Sequence, residues 1–276
     1  MIIKVELAVG DSVMDFLQTI LLGLIQGLTE WLPVSSTGHL RLAETFMGLQ
    51  LPVVFDGLLH VGTVFVTLVF FRKDISTVLA SLGRRDFTSE NGRLIPLIIV
   101  GTLPTAIVGL FFGDTIDAFF KGFVPLAGAF VFCGIMLYLS KTGKETDNNL
   151  SLTDALIIGT AQGIAIIPGV SRSGLTIATA LLLGVKREKA FAFSFLLSVP
   201  AILGAVGLTF YNEPDALVTS GIGLTEILVG VVVSMAVGYL ALKLLGRVLQ
   251  IKKFHLFGFY CWMVAIVLIG LSLGGF

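Results

Sequence analysis

The sequence predicts an all-α membrane protein that crosses the bilayer about six times. Hydrophobic residues make up 55% of the 276 residues, charged residues make up only 13%, and the mean hydropathy is +0.99. A soluble domain with a hydrated surface does not reach such values. The formal net charge is zero, so the composition gives no reason to expect a nucleic-acid partner. Membrane lipid is the expected surrounding.

Ten apolar segments, five in each half of the chain, define the predicted helices. Six are long enough for the roughly 20 residues that a membrane span needs, and they lie at about 53–71, 94–113, 122–140, 191–210, 222–242 and 255–274. The other four are short or broken by polar motifs, and they lie at about 14–29, 31–48, 153–167 and 173–184. We expect these four to be re-entrant helices, two in each half.

An internal repeat relates the two halves. The stretch "QGLTEWLPVSSTGHL" (26–40) aligns with "QGIAIIPGVSRSGLT" (162–176) at an offset of 136 residues. The shared Gln-Gly, Val-Ser and Gly positions are more informative than the apolar matches, because leucine is common in every membrane helix. The sequence therefore predicts one integral membrane domain over 1–276, with a first repeat at 12–140 and a second at 152–276.

The repeats are expected to have inverted topology. A re-entrant hairpin followed by three spans leaves the chain on the opposite side of the membrane. Basic residues test this, because cytoplasmic loops collect lysine and arginine. Fourteen of the 18 basic residues lie in four alternate loops, at 72–93, 141–151, 185–190 and 243–254. These loops are therefore predicted to be inside and both chain termini outside, and no cleavable signal peptide is expected.

The motif "PGVSRSG" (168–174) places Arg172 within an apolar segment, where a charge is costly and needs an anion. Gly169 and Gly174 allow close approach of the backbone. Ser171, Ser173 and the amides that begin the following helix would add hydrogen-bond donors, so the motif is typical of a phosphate site. Alternatively, Arg172 neutralises Glu30 as a structural pair.

The motif "TEWLPVSSTGH" (29–39) gathers a carboxylate, three hydroxyls and a histidine. Ser36 with His39 and Glu30 provides the parts for nucleophilic catalysis. A break at Pro33 is expected, followed by a new helix capped by Ser35 or Ser36. The bland interpretation of Ser35 and Thr37 is helix capping and backbone satisfaction, and that of His39 is a satisfied buried histidine. Because the first hairpin enters from outside and the second from inside, the two motifs are expected to meet.

Other polar residues in apolar segments have simpler interpretations. Arg41 and Glu44 lie three residues apart and are expected to pair with each other. His60 is more readily explained as a core or interfacial histidine, and Cys133 and Cys261 as packed thiols.

The two motifs, their order and their spacing resemble those of the undecaprenyl pyrophosphate phosphatase family, the bacitracin-resistance type of membrane phosphatase. The resemblance implies hydrolysis of a polyprenyl diphosphate to the monophosphate, which recycles the lipid carrier for envelope glycans such as peptidoglycan. It also implies a set of catalytic residues, Glu30, Ser36, His39 and Arg172, and surrounding phosphate-binding residues, Ser35, Thr37, Ser171, Ser173, Gly169 and Gly174.

The family resemblance further implies a divalent cation, Mg²⁺ or Ca²⁺, with Glu30 as a ligand. The sequence departs from the family pattern here, because Gln26 stands where the first glutamate of "EGLTE" is expected. One carboxylate binds a hard cation less well than two, so Gln26 is a doubtful ligand and the diphosphate would supply most of the ligation.

The alternatives left open by the sequence differ in chemistry. Either Ser36 or His39 would be the nucleophile, or Ser36 would orient an attacking water. His39 is otherwise the proton shuttle, and Glu30 orients it or holds the cation. A transporter or flippase of lipid phosphate would also use inverted repeats and a midplane anion site, and a scaffold that has lost activity would fit Gln26. We expect an active site reached from the outer face of the plasma membrane. The sequence leaves a homodimer open.

Overall fold

The structure is a computed structural model that describes residues 14–89, 91–146 and 149–275. Within these residues it contains α-helices, two short 3-10 turns and no β-strand. The helices are α1 (Phe16–Trp31), α2 (Ser36–Met47), α3 (Val53–Phe70), α4 (Arg72–Gly83), α5 (Leu94–Phe119), α6 (Phe123–Leu139), α7 (Leu152–Ile164), α8 (Arg172–Leu182), α9 (Arg187–Asn212), α10 (Ala216–Thr219), α11 (Leu224–Gln250) and α12 (Phe257–Leu273).

Six helices are long and apolar enough to cross a membrane: α3, α5, α6, α9, α11 and α12, with the 3-10 turns next to α6 and α12 extending those two. Their outward faces carry large apolar side chains, among them Phe111, which is 75% exposed, and Phe119, which is 67% exposed. Such a surface is stable only against lipid. The chain is a multi-pass membrane protein with the number of spans that the sequence predicts.

The remaining long apolar helices form two hairpins, α1–α2 and α7–α8. The turns that join them, 32–35 and 165–171, contact each other. The backbone N–H of Gly169 donates to Oγ of Ser35 at 3.1 Å, and Oγ of Ser173 donates to the carbonyl oxygen of Trp31 at 3.2 Å. The expected meeting of the two polar motifs is therefore confirmed.

Equivalent caps begin the helices of the two hairpins. Asp15 caps α1 and Ser151 caps α7, each within a reciprocal capping box formed with the residue three positions later. Ser35 caps α2 by accepting from the N–H of Gly38, and Ser171 caps α8 by accepting from the N–H of Gly174. Each pair of capping residues is 136 positions apart in the sequence. The caps satisfy backbone donors that a helix start otherwise leaves without partners.

Glycines allow the first helix of each hairpin to pack closely against a long span. Helix α1 lies on α11, and α7 lies on α5. A Cβ added at Gly27 would be 2.6 Å from the carbonyl oxygen of Ser234, and one added at Gly159 would be 2.0 Å from the carbonyl oxygen of Gly101. Only a residue without a Cβ fits between backbones at this separation.

Two details of the structure differ from expectation. Residues 72–83 of the predicted polar loop form helix α4, which has no buried residue. The prediction that Arg41 pairs with Glu44 is wrong: its guanidinium donates to the carboxylate of Asp117 and, at 3.3 Å, to the carbonyl oxygen of Phe120. Both partners lie where α5 ends, so Arg41 joins the first hairpin to that end of α5 instead of stabilising its own helix.

The cysteines are buried free thiols, as expected. The Sγ of Cys133 accepts from the N–H of Ser171 at 3.4 Å, and the Sγ of Cys261 donates to the carbonyl oxygen of Pro33 at 3.6 Å. Each thiol therefore contacts one hairpin turn. The predicted start of the first repeat at residue 12 and the N-terminus lie outside the described residues.

We predict that Gly159→Ala lowers the free energy of unfolding by about 1–3 kcal/mol, the usual cost of forcing extra atoms into a packed contact. The new methyl group would meet the backbone of Gly101, which no rotamer change can relieve. Thermal unfolding of detergent-purified protein measures the effect. Gly128→Ala is the matched control, because a Cβ at this exposed helical glycine meets nothing within 4 Å. Equal stability of the two variants would contradict the close α5–α7 contact.

Candidate active site

Glu30 lies at the centre of the polar cluster where the hairpin turns meet. It is near the end of α1, and its side chain is only 5% exposed. Oε2 accepts hydrogen bonds from the hydroxyl of Ser36 at 2.6 Å and from the amide of Gln26 at 3.2 Å. Oε1 accepts from the guanidinium of Arg172. A buried carboxylate is retained only when such donors replace water.

Arg172, the first residue of α8, forms an ion pair with Glu30 and has a side chain that is 15% exposed. The structural pairing that the sequence left open is therefore present. However, only Nη2 bonds to Glu30, and Nη1 is buried with no hydrogen-bond partner among the described residues. Removing one partner of a buried pair costs about 3–5 kcal/mol. The unpartnered Nη1 leaves the guanidinium able to bind a second anion.

Ser36 is the first residue of α2, and its hydroxyl is directed at Glu30. The O–H···O⁻ distance of 2.6 Å is in the short range that hydrogen bonds to charged acceptors adopt. The carboxylate is thus placed to receive the proton of this hydroxyl. The sequence predicted that Ser36 and Glu30 belong to one site, and the structure brings them together through the turn 32–35.

His39 lies one helical turn after Ser36 but is not directed at it. Its Nδ1 lies 2.8 Å from the carbonyl oxygen of Ser35, and its Nε2 lies 2.8 Å from the hydroxyl of Tyr260 on α12. Because a carbonyl only accepts, Nδ1 carries a hydrogen, and Nε2 faces Tyr260. The two rings stack with centroids 5.7 Å apart. No motif in the sequence connects Tyr260 to the site.

Several hydroxyls expected to bind phosphate hold the two turns together in this structure. Ser35 has φ of 69°, a conformation that is costly for a residue with a side chain, and its Oγ accepts from Gly38 and from Gly169. The hydroxyls of Ser171 and Ser173 contact each other at 3.2 Å. Gly169 has φ of 92°, which favours glycine at this turn. Thr37 differs, since its half-buried hydroxyl forms no hydrogen bond within the described part of the chain.

His60, on the spanning helix α3, is a member of the cluster to which sequence reasoning gave little weight. Its Nε2 lies 3.3 Å from Oε2 of Glu30, and its Nδ1 lies 2.8 Å from the carbonyl oxygen of Asp56. The signal in the sequence was an ionisable side chain inside a membrane span, which is costly unless it has a partner. The partner belongs to another helix and could not be identified from the pattern.

The electrostatics of the cluster favour an anion. Helices α2 and α8 both begin here, at Ser36 and Arg172. The first turn of a helix carries a partial positive charge and unpaired N–H groups. Two helix starts and a guanidinium converge on one carboxylate, so the site can hold an anionic group such as a phosphate.

The comparison with known families agrees with this chemistry. The family model described as "Bacitracin resistance protein BacA" matches residues 19–267. The chain belongs to the BacA family.

Curated relatives of this BacA-family chain match more than nine tenths of its length. The proteins named "Undecaprenyl-diphosphatase" from Carboxydothermus hydrogenoformans and Methanobrevibacter smithii are 41% and 38% identical to it, over 95% and 92% of this chain and 99% and 96% of their own. "Undecaprenyl-diphosphatase 3" from Bacillus cereus is 36% identical, over 94% of this chain and 98% of its own. Similar proteins therefore occur in bacteria and archaea.

The donor set of this BacA-family site does not fit a divalent cation held by Glu30 itself. Both carboxylate oxygens are occupied by hydrogen-bond donors. Gln26, the doubtful ligand, is fully buried and directs its amide N–H at Glu30, while its Oε1 has no partner. Within the described residues no three His, Cys, Asp or Glu side chains are grouped to hold a metal. Hard cations require several oxygen ligands, and this cluster offers one carboxylate that is already bonded.

We predict that Ser35→Ala lowers the free energy of unfolding by about 1–3 kcal/mol, because two buried backbone N–H groups of the BacA-family turns lose their acceptor. Thermal unfolding in detergent measures the change. Thr37→Ala is the control and should stay within about 0.5 kcal/mol of wild type, since its hydroxyl has no partner to lose. A Ser35→Ala variant as stable as Thr37→Ala would show that this hydroxyl does not hold the two turns together.

Proposed function

We propose that this protein hydrolyses undecaprenyl diphosphate to undecaprenyl monophosphate and inorganic phosphate. The similar proteins described above are named for that activity, and the sequence match covers almost their whole length. The observation that carries the proposal is the buried cluster in which the hydroxyl of Ser36 donates to Glu30 while Nη1 of Arg172 has no hydrogen-bond partner in the described part of the chain. A nucleophile, a base and an anion-binding group are the parts that phosphoryl transfer needs.

Arg172 and the starts of α2 and α8 are proposed to bind the terminal phosphoryl group. The guanidinium matches phosphate with two parallel hydrogen bonds, so the substrate competes with Glu30 for Arg172. The partial positive charges of the two helix starts add to its field. These groups stabilise the negative charge that the phosphoryl oxygens carry in the transition state. Thr37, with its unpaired hydroxyl, is the best placed of the predicted phosphate-binding hydroxyls.

Ser36 is proposed as the nucleophile and Glu30 as its base. As Oγ bonds to the terminal phosphorus, its proton moves to Oε2 of Glu30, 2.6 Å away. The bond from that phosphorus to the bridging oxygen breaks, and its electron pair leaves with the lipid monophosphate. Water then displaces Ser36 from the phosphorus, Glu30 returns the proton to Oγ, and both hydrogens of the water stay on the released phosphate.

His39 is proposed to orient the start of α2 and contact the substrate instead of taking the proton from Ser36. Both of its ring nitrogens are engaged, with Ser35 and Tyr260, and neither faces Ser36. Of the two nucleophiles that the sequence left open, this geometry favours Ser36. A divalent cation, if the reaction uses Mg²⁺ or Ca²⁺, would enter with the diphosphate, which supplies the oxygen ligands that the protein lacks.

The hairpins are proposed to be re-entrant and the two halves to be inverted repeats over 12–140 and 152–276. The equivalent caps 136 residues apart support this, and so does the reciprocal packing of α1 on α11 and α7 on α5. The charged loops then place α4 and the other basic segments inside. Both termini and the entrance to the site face outside, where a lipid carrier used for envelope glycans would be recycled. The oligomeric state stays a prediction.

Phosphate release from undecaprenyl diphosphate by detergent-purified protein tests the activity. We expect Arg172→Ala and Ser36→Ala each to lower kcat/KM by about 100-fold or more, the usual range for a removed acid–base or charge-stabilising group. His39→Ala should also lower it, and release should be compared with and without Mg²⁺ and Ca²⁺.

His255→Ala is the control for the activity assay. This residue lies in the 3-10 turn before α12, packs against the ring of Tyr138 and should keep wild-type activity. Folded wild type that releases no phosphate with either cation would contradict the proposed function. The same preparation, reconstituted in liposomes, would then test transport of a lipid phosphate.

Cysteine labelling in intact cells tests the proposed orientation. Glu213→Cys and Lys253→Cys place exposed thiols in loops at opposite ends of α11. We expect a membrane-impermeant maleimide to label Glu213→Cys from outside and Lys253→Cys only after permeabilisation. The native Cys133 and Cys261 are 0% exposed and should give no background. The reverse labelling pattern would overturn the orientation.

A further inference from the structure

We propose that His60 is a positioning residue that holds Glu30 towards Ser36 and keeps a positive charge beside it when Arg172 moves onto the substrate phosphate. The inference rests on the proposed function, because it concerns a step of that reaction. It starts from the way in which the two oxygens of Glu30 are divided. Arg172 occupies Oε1, whereas Ser36, Gln26 and His60 are all grouped around Oε2.

The hydrogen bonds of His60 show which of its nitrogens donate. Nδ1 faces the carbonyl oxygen of Asp56, which can only accept, so Nδ1 carries a hydrogen. Nε2 faces Oε2 of Glu30 at 3.3 Å, and that oxygen already accepts from a hydroxyl and an amide. The contact is favourable when Nε2 also carries a hydrogen. His60 then carries a hydrogen on both nitrogens and is an imidazolium, the second positive group at this carboxylate.

The need for a second positive group follows from the competition for Arg172. A phosphoryl group attracts the guanidinium away from Oε1, and a buried carboxylate that loses its only cation is strongly disfavoured. His60 limits that cost, because it lies on the spanning helix α3 and not on the hairpin that carries Arg172. It belongs to α3, where the hydroxyl of Thr63 donates to its carbonyl oxygen at 2.7 Å and the hydroxyl of Ser234 on α11 donates to that of Leu59 at 3.2 Å.

Because Gln26 is uncharged, one histidine is enough to balance the negative charge of Glu30. Where the family resemblance implies a second carboxylate, this chain has an amide that donates to Glu30 at 3.2 Å and adds no negative charge. Among the described residues, Glu30 is therefore the one carboxylate that Arg172 contacts, and Arg172 balances it before the substrate binds and His60 afterwards. The buried carboxyl group of Asp56 is a second acidic group that interacts with His60. A positive side chain takes the place beside Glu30 that a metal ion would otherwise fill.

Steady-state kinetics of three variants test the role of His60. His60→Gln keeps an N–H donor near Oε2 but has no charge, His60→Leu removes both, and His255→Gln is the matched histidine control. We expect His60→Gln to lower kcat by about 10- to 100-fold, the range seen when a partner that orients a reactive group is lost, with KM within twofold of wild type. His60→Leu should lower kcat further, and His255→Gln should match wild type.

Two further measurements make the outcome decisive. Loss of a buried charged partner of Glu30 should lower the melting temperature of His60→Gln, so all variants are compared at a temperature at which each is fully folded. In a Glu30→Gln background, single-turnover assays should show no additional loss from His60→Gln, because the partner through which it acts is gone.

Unchanged kcat in His60→Gln, a raised KM with normal kcat, or an equal additional loss in the Glu30→Gln background would each overturn the role of His60 while leaving the phosphatase activity in place. Folded wild type that releases no phosphate would instead overturn the proposed function, and this inference with it.

Discussion

The ion pair between Glu30 and Arg172 is the contact on which the rest of the structure depends. Each hairpin contributes one charge, and neither charge has another strong counter-charge within its own hairpin. Burying either one alone would cost several kcal/mol. The folded state therefore requires both turns to be in contact, and the caps at Ser35 and Ser171 and the thiols of Cys133 and Cys261 serve to hold those turns in that contact.

The scaffold of the site is repeated in the chain, whereas its chemistry is not. Positions 136 residues apart share their capping serines and their close-packed glycines. At the same offset, Glu30 corresponds to Ile166 and Ser36 to Arg172. The first turn thus supplies the carboxylate and the hydroxyl, and the second supplies the cation. Such a division gives one asymmetric site from two similar halves, as a reaction with a distinct nucleophile and leaving group requires.

The sequence could predict the parts of the molecule whose cause is local. Hydropathy and segment length predicted the six spans, and the residues of the first motif predicted a break at Pro33 and a helix cap at Ser35 or Ser36, of which Ser35 is the cap. The pairing of Glu30 with Arg172 was the alternative to a phosphate partner, because a lone charge in an apolar segment needs an opposite one. Contacts decided by packing between distant helices could not be derived: His60 with Glu30, Tyr260 with His39, and Arg41 with Asp117 in place of Glu44.

The position of Tyr260 on α12 has a consequence for how the protein is made. Helix α12 is the last of the described helices to leave the ribosome, yet Tyr260 and its neighbour Cys261 contact His39 and Pro33 of the first hairpin. The first motif to be synthesised therefore lacks its contacts with α12 until the other five spans have been made. A nascent chain halted before residue 260 contains all the residues of both motifs but not the finished site. The contacts around the first motif are therefore complete only when α12 packs against the first hairpin.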